Sequence, residues 1–302
     1  MEFKVNGGAL MGFSKKLLEL IAGTRLSPSY IEKVAEAAIA EDLLGDLDVT
    51  TVATIPIDQI AVAEFRSRKS GVLAGIPIVC AVLEICGIEN YKIEINDGEI
   101  VHSASLIMVT TGKTRDLLLA ERSALNFLGH LSGISTLTKS WVDAVAGTSA
   151  AIRDTRKTTP GIRELEKYAV RVGGGINHRF ALSDAALIKD NHVLAAGGVV
   201  EAFTLVKAKF PDLPVEVEVD SLQQLREVVD AGAKLVLLDN MSIEECRAAV
   251  EIVAGRAKLE ASGGLILNNA HAYASTGVDF LAVGALTHSA PVLDIGLDLR
   301  ME

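Results

Sequence analysis

The chain has 302 residues, 49% hydrophobic and 23% charged, which excludes a disordered or fibrous protein and, at roughly 100–200 residues per domain, predicts two domains or one large α/β unit with a sizeable core. Aromatic residues make up 4%, with a single Trp, and the formal net charge is −10. That argues against a stacking platform for single-stranded nucleic acid and against a general DNA- or RNA-binding protein.

In chain order, the first twenty residues carry acid and base within the first four and no long apolar core, so they do not read as a secretory signal. Pro28 to Leu44 has helical spacing (Ile31, Val34, Ala35, Ala38, Ile39) after a Ser27-Pro28 start. Ala61 to Ile76 reads as strand punctuated by Gly71 and Gly75, and Tyr91 to Val101 as a hairpin turning at Asn96-Asp97-Gly98. Asp116 to Ala146 reads as a long helix broken near Gly129 and Gly133, with Arg122 in an otherwise apolar pattern. In the second half, six strand-like segments recur: Ala151–Asp154, Ala185–Lys189, Val215–Val219, Leu235–Asp239, Lys258–Ala261 and Phe280–Val283. Helical segments separate most of them, two opening on capping boxes at Ser221 and Ser242. This alternation predicts βα units and a parallel sheet.

Cys80, Cys86 and Cys246 form no C-x-x-C pair and have no histidine at zinc spacing, so they read as free thiols of a reducing compartment. The longest uncharged stretch, Ala261 to Val278, is interrupted by Ser, Asn and His and does not read as a membrane span. The expectation is a soluble, cytoplasmic protein.

The strand ends carry the chemistry. They read Asp154-Thr-Arg-Lys157, Lys189-Asp190-Asn191, Glu218, Asp239-Asn240, Ser262-Gly-Gly264 and Gly284-Ala285. In α/β barrels active sites are built at the C-terminal rim; an open doubly wound sheet uses strand C-termini too. Polar ends after every strand favour a barrel, although six strands fall short of eight. Charge follows the same map: Arg153 to His192 holds eight Lys or Arg against five Asp or Glu in an acidic chain, which suits a pocket for a small anion, although a solvated surface run is the commoner origin of such a count.

Arg156 and Lys157 among Thr155, Thr158 and Thr159 suit phosphate or carboxylate oxygens, or are merely paired surface bases. A Gly173-Gly-Gly175 loop leads to His178 and Arg179. Lys189 ends an apolar strand, either snorkelling or as a pocket cation. Glu216 and Glu218 share one face of VEVEV. A parallel barrel strand has no solvent face, so a carboxylate there calls for a cation or metal, as does Asp239 at the end of LVLLD. Two Gly-containing loops, Ser262-Gly263-Gly264 and Val283-Gly284-Ala285, fall in consecutive βα units and suit phosphate. The assembled pocket suits a substrate carrying carboxylates and phosphates, together with a metal.

The runs DTRKTTPGIRELEKYAVRVGGGINHRFALSDAALIKDNH, ERSALNFLGHLSGIST, VEVEVDSLQQL, LLDNMS, LEASGGL and VGALTHSAP strongly resemble the quinolinate phosphoribosyltransferases, and EDLLGDLDVTT near the N-terminus fits their signature. One departure is Gly-Asp-Leu-Asp-Val-Thr-Thr from Gly45, where many members have a shorter Gly-Asp-x-Thr-Thr. The resemblance implies an N-terminal α/β sandwich domain (1–125, with 287–302 packing on it) and an incomplete, six-stranded α/β barrel of the type II phosphoribosyltransferases (126–286). It implies transfer of phosphoribosyl from 5-phosphoribosyl-1-pyrophosphate to quinolinate with decarboxylation, giving nicotinate mononucleotide, pyrophosphate and CO2 in de novo NAD biosynthesis. By the same resemblance Arg122, Arg156, His178 and Arg179 hold the quinolinate carboxylates, beside Thr155, Lys157 and Lys189. Arg122 arrives from the neighbouring subunit of a homodimer. Glu218 and Asp239 face the ribose and Mg2+, directly or indirectly; Ser262, Gly263, Gly264, Val283, Gly284 and Ala285 bind phosphate. Lys157, Lys189, Glu218 and Asp239 are the implied catalytic groups, with no organic cofactor, nucleic acid or membrane. Alternatives are a paralogous transferase for another aromatic acid, a barrel aldolase using Lys157 or Lys189 as a Schiff base, and a non-enzymatic module that binds phosphorylated metabolites.

Overall fold

The structure, a computed structural model, describes residues 12–301. Residues 1–11 and Glu302 lie outside them, and with them the opening of the segment read above for a targeting signal. Ser14 caps α1 (Lys15–Ala22) by accepting from the Leu17 N–H; Ser27, followed by Pro28, caps α2 (Pro28–Leu43) through Tyr30. Ile31, Ala35 and Ile39 are buried along α2, as the spacing predicts. The Gly45 departure is a loop and a cap: Gly45 takes φ 81, and Asp48 accepts from Thr51 to start α3 (Val49–Thr54).

The expected strand from Ala61 to Ile76 is instead β1 (Ile60–Ser67), β2 (Gly71–Val72) and the start of a helix, α4 (Ile76–Ile85), which is almost wholly buried. Two of its first N–H groups are satisfied from outside the helix. The Asp97 carboxylate accepts from Gly75 at 2.9 Å and Ile76 at 3.0 Å. The expected hairpin is also corrected, because β3 (Tyr91–Ile93) and β4 (Ile100–Val101) pair elsewhere, β4 with β2 and β3 with β5 (Leu106–Lys113). The next helix, α5 (Thr114–Ala144), runs unbroken through Gly129 and Gly133. These glycines serve close approach: a Cβ would lie 2.9 Å from the Leu293 carbonyl at Gly129 and 2.1 Å from that of Pro291 at Gly133.

The second half alternates as its sequence predicts. It comprises β6 (Ala151–Arg153), α6 (Arg163–Val172), β7 (Ala186–Ile188), α7 (Asp190–Ala196), α8 (Val199–Lys209) and β8 (Val215–Val219). There follow α9 (Leu222–Asp230), β9 (Leu235–Asp239), α10 (Ile243–Val253), β10 (Lys258–Ser262), α11 (Leu267–Ala274), β11 (Phe280–Ala282), α12 (Ala285–His288) and β12 (Ile295–Met301). Ser221 and Ser242 are N-caps, the latter in a reciprocal box with Glu245.

The described chain forms two units, one of residues 12–136, 160–172 and 290–301 and one of 137–159 and 173–289. The first contains an antiparallel sheet ordered β12-β1-β5-β3 and the small β2-β4 pair. The second contains the parallel sheet β6-β11-β10-β9-β8-β7. β6 and β7 are consecutive in the sheet's chain order yet end opposite edges, so this is an incomplete α/β barrel with its seam between them. Val217, Val236, Leu238, Leu259 and Leu281 are buried at its centre. Ser262 is level with Asp239 and with Ala282, and Ala282 with Arg153, so the strand C-termini share one rim.

The three cysteines are free and buried. Burial pushes the thiols of Cys80 and Cys86 up to about 12, away from reactive thiolate. No helix of the described residues is long and apolar enough to cross a membrane.

Candidate active site

A cavity of about 770 Å³ opens at the C-terminal rim of the parallel sheet. Every site residue expected from sequence lines it except Arg122, which is exposed on α5 in the first unit. The loop after β6 brings Thr155, Arg156 and Lys157; residues ahead of β7 bring His178 and Arg179, and its end brings Lys189. Glu218 and Asp239 come from β8 and β9, and the two glycine loops follow β10 and β11.

The cationic side is built under tension. The Nε atoms of Arg156 and Arg179 are buried and have no hydrogen-bond partner among the described residues. The Arg179 guanidinium donates from Nη1 to the Ala185 carbonyl at 2.8 Å. Burial, and then the like charge of Arg156, pull its guanidinium below its ordinary range. Two crowded arginines with unused donors suit a doubly charged planar anion. Lys189 Nζ donates to Glu218 Oε2 at 2.9 Å, a pair whose half-exposed lysine a competing ligand can draw away.

The opposite wall is built from backbone. Gly263 and Gly264 take φ +88 and +62, and a Cβ at Gly263 would lie 2.1 Å from Asn240 Oδ1, so the turn needs glycine both for conformation and for space. Asn240, itself at φ 54, donates its N–H to the Ser262 carbonyl at 2.8 Å and its Nδ2 to Asp239 Oδ2 at 2.9 Å. It therefore ties the β9 acid to the β10 loop. Thr287 Oγ1 donates to the Lys157 carbonyl at 2.8 Å, linking the last loop to the cationic one.

Beneath the rim is a layer that sequence reasoning largely missed. Arg153 Nη1 is 2.7 Å from Glu260 Oε2 and 3.8 Å from Glu216 Oε1. His178 Nε2 is 2.7 Å from Glu216 Oε2 and 3.8 Å from Glu260 Oε1. Asp154 accepts from the His178 N–H at 2.7 Å and from Asn177 Nδ2 at 2.6 Å. Burial, and then the Glu216 carboxylate, push Glu260 up to about 8 against the pull of Arg153. The Glu216, Glu260 and His178 donor atoms lie within 4.8 Å of one another, but Arg153 already supplies the cation there and would repel a dication. The reasoning that singled out Glu216, a carboxylate on a buried parallel strand, applies equally to Glu260. Asn240 and His288 also line the cavity; both fall within the family-like runs LLDNMS and VGALTHSAP, without a role assigned to them from sequence.

Residues 48–132 match the family model for the quinolinate phosphoribosyl transferase N-terminal domain, and residues 134–298 that for the C-terminal domain. The chain is 52% identical over 268 residues to the nicotinate-nucleotide pyrophosphorylase [carboxylating] of Mycobacterium leprae, covering 87% of this chain and 94% of the relative. The crystal structure of NadC from Streptococcus pyogenes superposes with a TM-score of 0.88 at 38% identity, covering 92% of this chain and 99% of that one. The nicotinate-nucleotide pyrophosphorylase of Ehrlichia chaffeensis does so with a TM-score of 0.87 at 37% identity, covering 91% and 100%. With both halves of the chain matched in order, and with its fold shared by these structures, the chain belongs to the quinolinate phosphoribosyl transferase family.

Proposed function

We propose that this chain is a phosphoribosyltransferase that joins quinolinate to 5-phosphoribosyl-1-pyrophosphate and releases pyrophosphate and CO2, forming nicotinate mononucleotide on the de novo route to NAD. The observation that carries the reading is the pair of crowded like charges, Arg156 and Arg179, lining one cavity with two glycine loops. The two carboxylates of a pyridine diacid satisfy both arginines and cancel their mutual repulsion. Once seated, the ring nitrogen is held at the sugar carbon, which removes much of the entropic barrier.

The ring nitrogen then bonds to the anomeric carbon as the carbon–oxygen bond to pyrophosphate breaks, the electron pair leaving with the diphosphate. In this reading Glu218 and Asp239, which line the cavity, offset positive charge developing on the ribose, while Lys157 and Lys189 take the charge of the leaving group. To do so Lys189 exchanges its Glu218 partner for substrate oxygens. The alkylated ring is cationic at nitrogen and accepts the electron pair when the adjacent carboxylate leaves as CO2; a proton then replaces it on carbon. Glu218 and Asp239 offer the hard oxygen donors that Mg2+ takes alongside phosphates; when bound there it would supply charge neutralisation of the diphosphate.

In the same reading the active form is a homodimer, with Arg122 of the partner subunit completing the carboxylate clamp. Support for this is the exposure of Arg122 on α5. A cytoplasmic location fits the three buried free thiols. The test is incubation with quinolinate, phosphoribosyl pyrophosphate and Mg2+, with nicotinate as competitor. Nicotinate mononucleotide and CO2 are expected, with nicotinate a poor substitute. Absence of both products, or equal use of the monoacid, rejects the reading.

A further inference from the structure

The hydrogen bonds of His178 point to a positioning role beyond the carboxylate grip that the resemblance implies. Its Nδ1 accepts the main-chain N–H of Arg179 at 2.7 Å, and its Nε2 lies 2.7 Å from Glu216 Oε2. A ring nitrogen that accepts an N–H bond carries no proton, so this network assigns the proton to Nε2, directed at Glu216. Both nitrogens are engaged within the chain, and the residue is only 8% exposed.

The ring therefore connects two layers. On one side is Arg179, whose guanidinium is fastened at its far end to the Ala185 carbonyl and whose following turn is held by Asp184, accepting from Phe180 at 2.6 Å and Ala181 at 3.1 Å. On the other side is Glu216, seated near Arg153, which is itself paired with the fully buried Glu260. The Glu216 charge also opposes the repulsion that Arg156 exerts on Arg179.

We propose that Glu216, backed by the Arg153–Glu260 pair, is a positioning residue for the diacid clamp: through the His178 ring it fixes the main chain at Arg179 and so aims that guanidinium. The proposal rests on the diacid reading above. Within it, His178 is a strut between Glu216 and Arg179, and Arg156 and Arg179 supply the carboxylate bonds.

Three measurements on the full chain test this. In the free protein, nitrogen-15 NMR of the imidazole should show the proton on Nε2 with Nδ1 accepting, and quinolinate should leave that pattern in place. A proton on Nδ1, or a change of pattern on adding quinolinate, overturns the proposal. Next, His178→Asn and His178→Gln separate the two bonds. An Asn amide oxygen can replace Nδ1 as acceptor for Arg179, whereas a Gln amide can replace only the donor to Glu216. The Asn variant should keep the lower KM for quinolinate, and the reverse ranking overturns the proposal. Last, Glu216→Ala should raise the quinolinate KM on the order of ten- to a hundredfold, with the phosphoribosyl pyrophosphate KM unmoved and Glu216→Gln restoring part of the loss. If Glu216→Ala does not fold, the tautomer and the Asn/Gln ranking still decide. Calorimetry keeps the two readings apart: wild-type protein that fails to bind quinolinate rejects the substrate, whereas normal binding with an unaffected Glu216→Ala rejects only the positioning role.

Discussion

Charged side chains border strands in both units of the molecule, and the two sheets hold them differently. Around β1 and β12, Arg66 meets Glu64 at 2.7 Å and Arg68 meets Asp298 at 2.5 Å, with Arg300 on the other Glu64 oxygen. Arg68 and Asp298 stay 41% and 45% exposed, so water and salt share their charge. In the parallel sheet Arg153, Glu216 and Glu260 are 15%, 4% and 0% exposed. An antiparallel sheet with a wet face tolerates ions at little cost; a parallel sheet covered on both faces does not. The same residue types are therefore incidental at Arg68 and Asp298 and demand a reason at Arg153, Glu216 and Glu260, and here the reason is the site above them.

The most severe way to break this comparison is to remove one member of each set. Arg153→Ala leaves the fully buried Glu260 without its 2.7 Å partner and should cost about 3–5 kcal/mol of folding stability, read from urea midpoints. Arg68→Ala should leave the midpoint within experimental scatter. Equal effects would mean that burial does not separate the two sets.

A sharper test uses the opposite trade at the rim. Arg156→Met removes a charge that Arg179 resists, so the folded protein should be at least as stable as wild type in thermal unfolding. The same change deletes one arm of the carboxylate clamp, worth about 1.5–3 kcal/mol, or roughly ten- to a hundredfold in quinolinate KM. A variant that loses stability and substrate affinity together would show Arg156 to be structural.

Residues that act through local pattern are legible in the sequence alone. The period of Pro28–Leu43 and the six polar-ended strands are local signals, and they place all the rim residues on one sheet edge. What sequence reading misses depends on distant partners. The helix Ile76–Ile85 is apolar on nearly every face, so no period marks it. Asp97 reads as a turn residue and instead caps that helix. Gly129 and Gly133 read as breaks, and only the approach of residues 291–293 explains them. In the site, Arg153 and Glu260 are 107 residues apart and meet only because β11 alone separates their strands. Within its own segment, each reads as one of two opposite charges in a short strand, Arg153 with Asp154 and Glu260 with Lys258.

The smallest expected effect reports on the buried layer most directly. Glu260 has no access to water and shares one arginine with Glu216, so its carboxyl is pushed from the ordinary 4.5 up to about 8 in the folded protein. Folding then takes up a proton between those two values. A raised folded pKa means that this group's contribution to stability is complete below pH 4.5 and is lost as the pH climbs through 8. Wild-type urea midpoints should therefore fall from about pH 5 toward about pH 8.5 by more than those of Glu260→Gln, which cannot ionise and still offers Arg153 an oxygen. Arg68→Ala, which leaves the buried layer untouched, should keep the wild-type slope. A Glu260→Gln slope as steep as the wild-type one would show that the proton resides elsewhere in the layer, and that burial of this carboxyl is balanced by Arg153 after all.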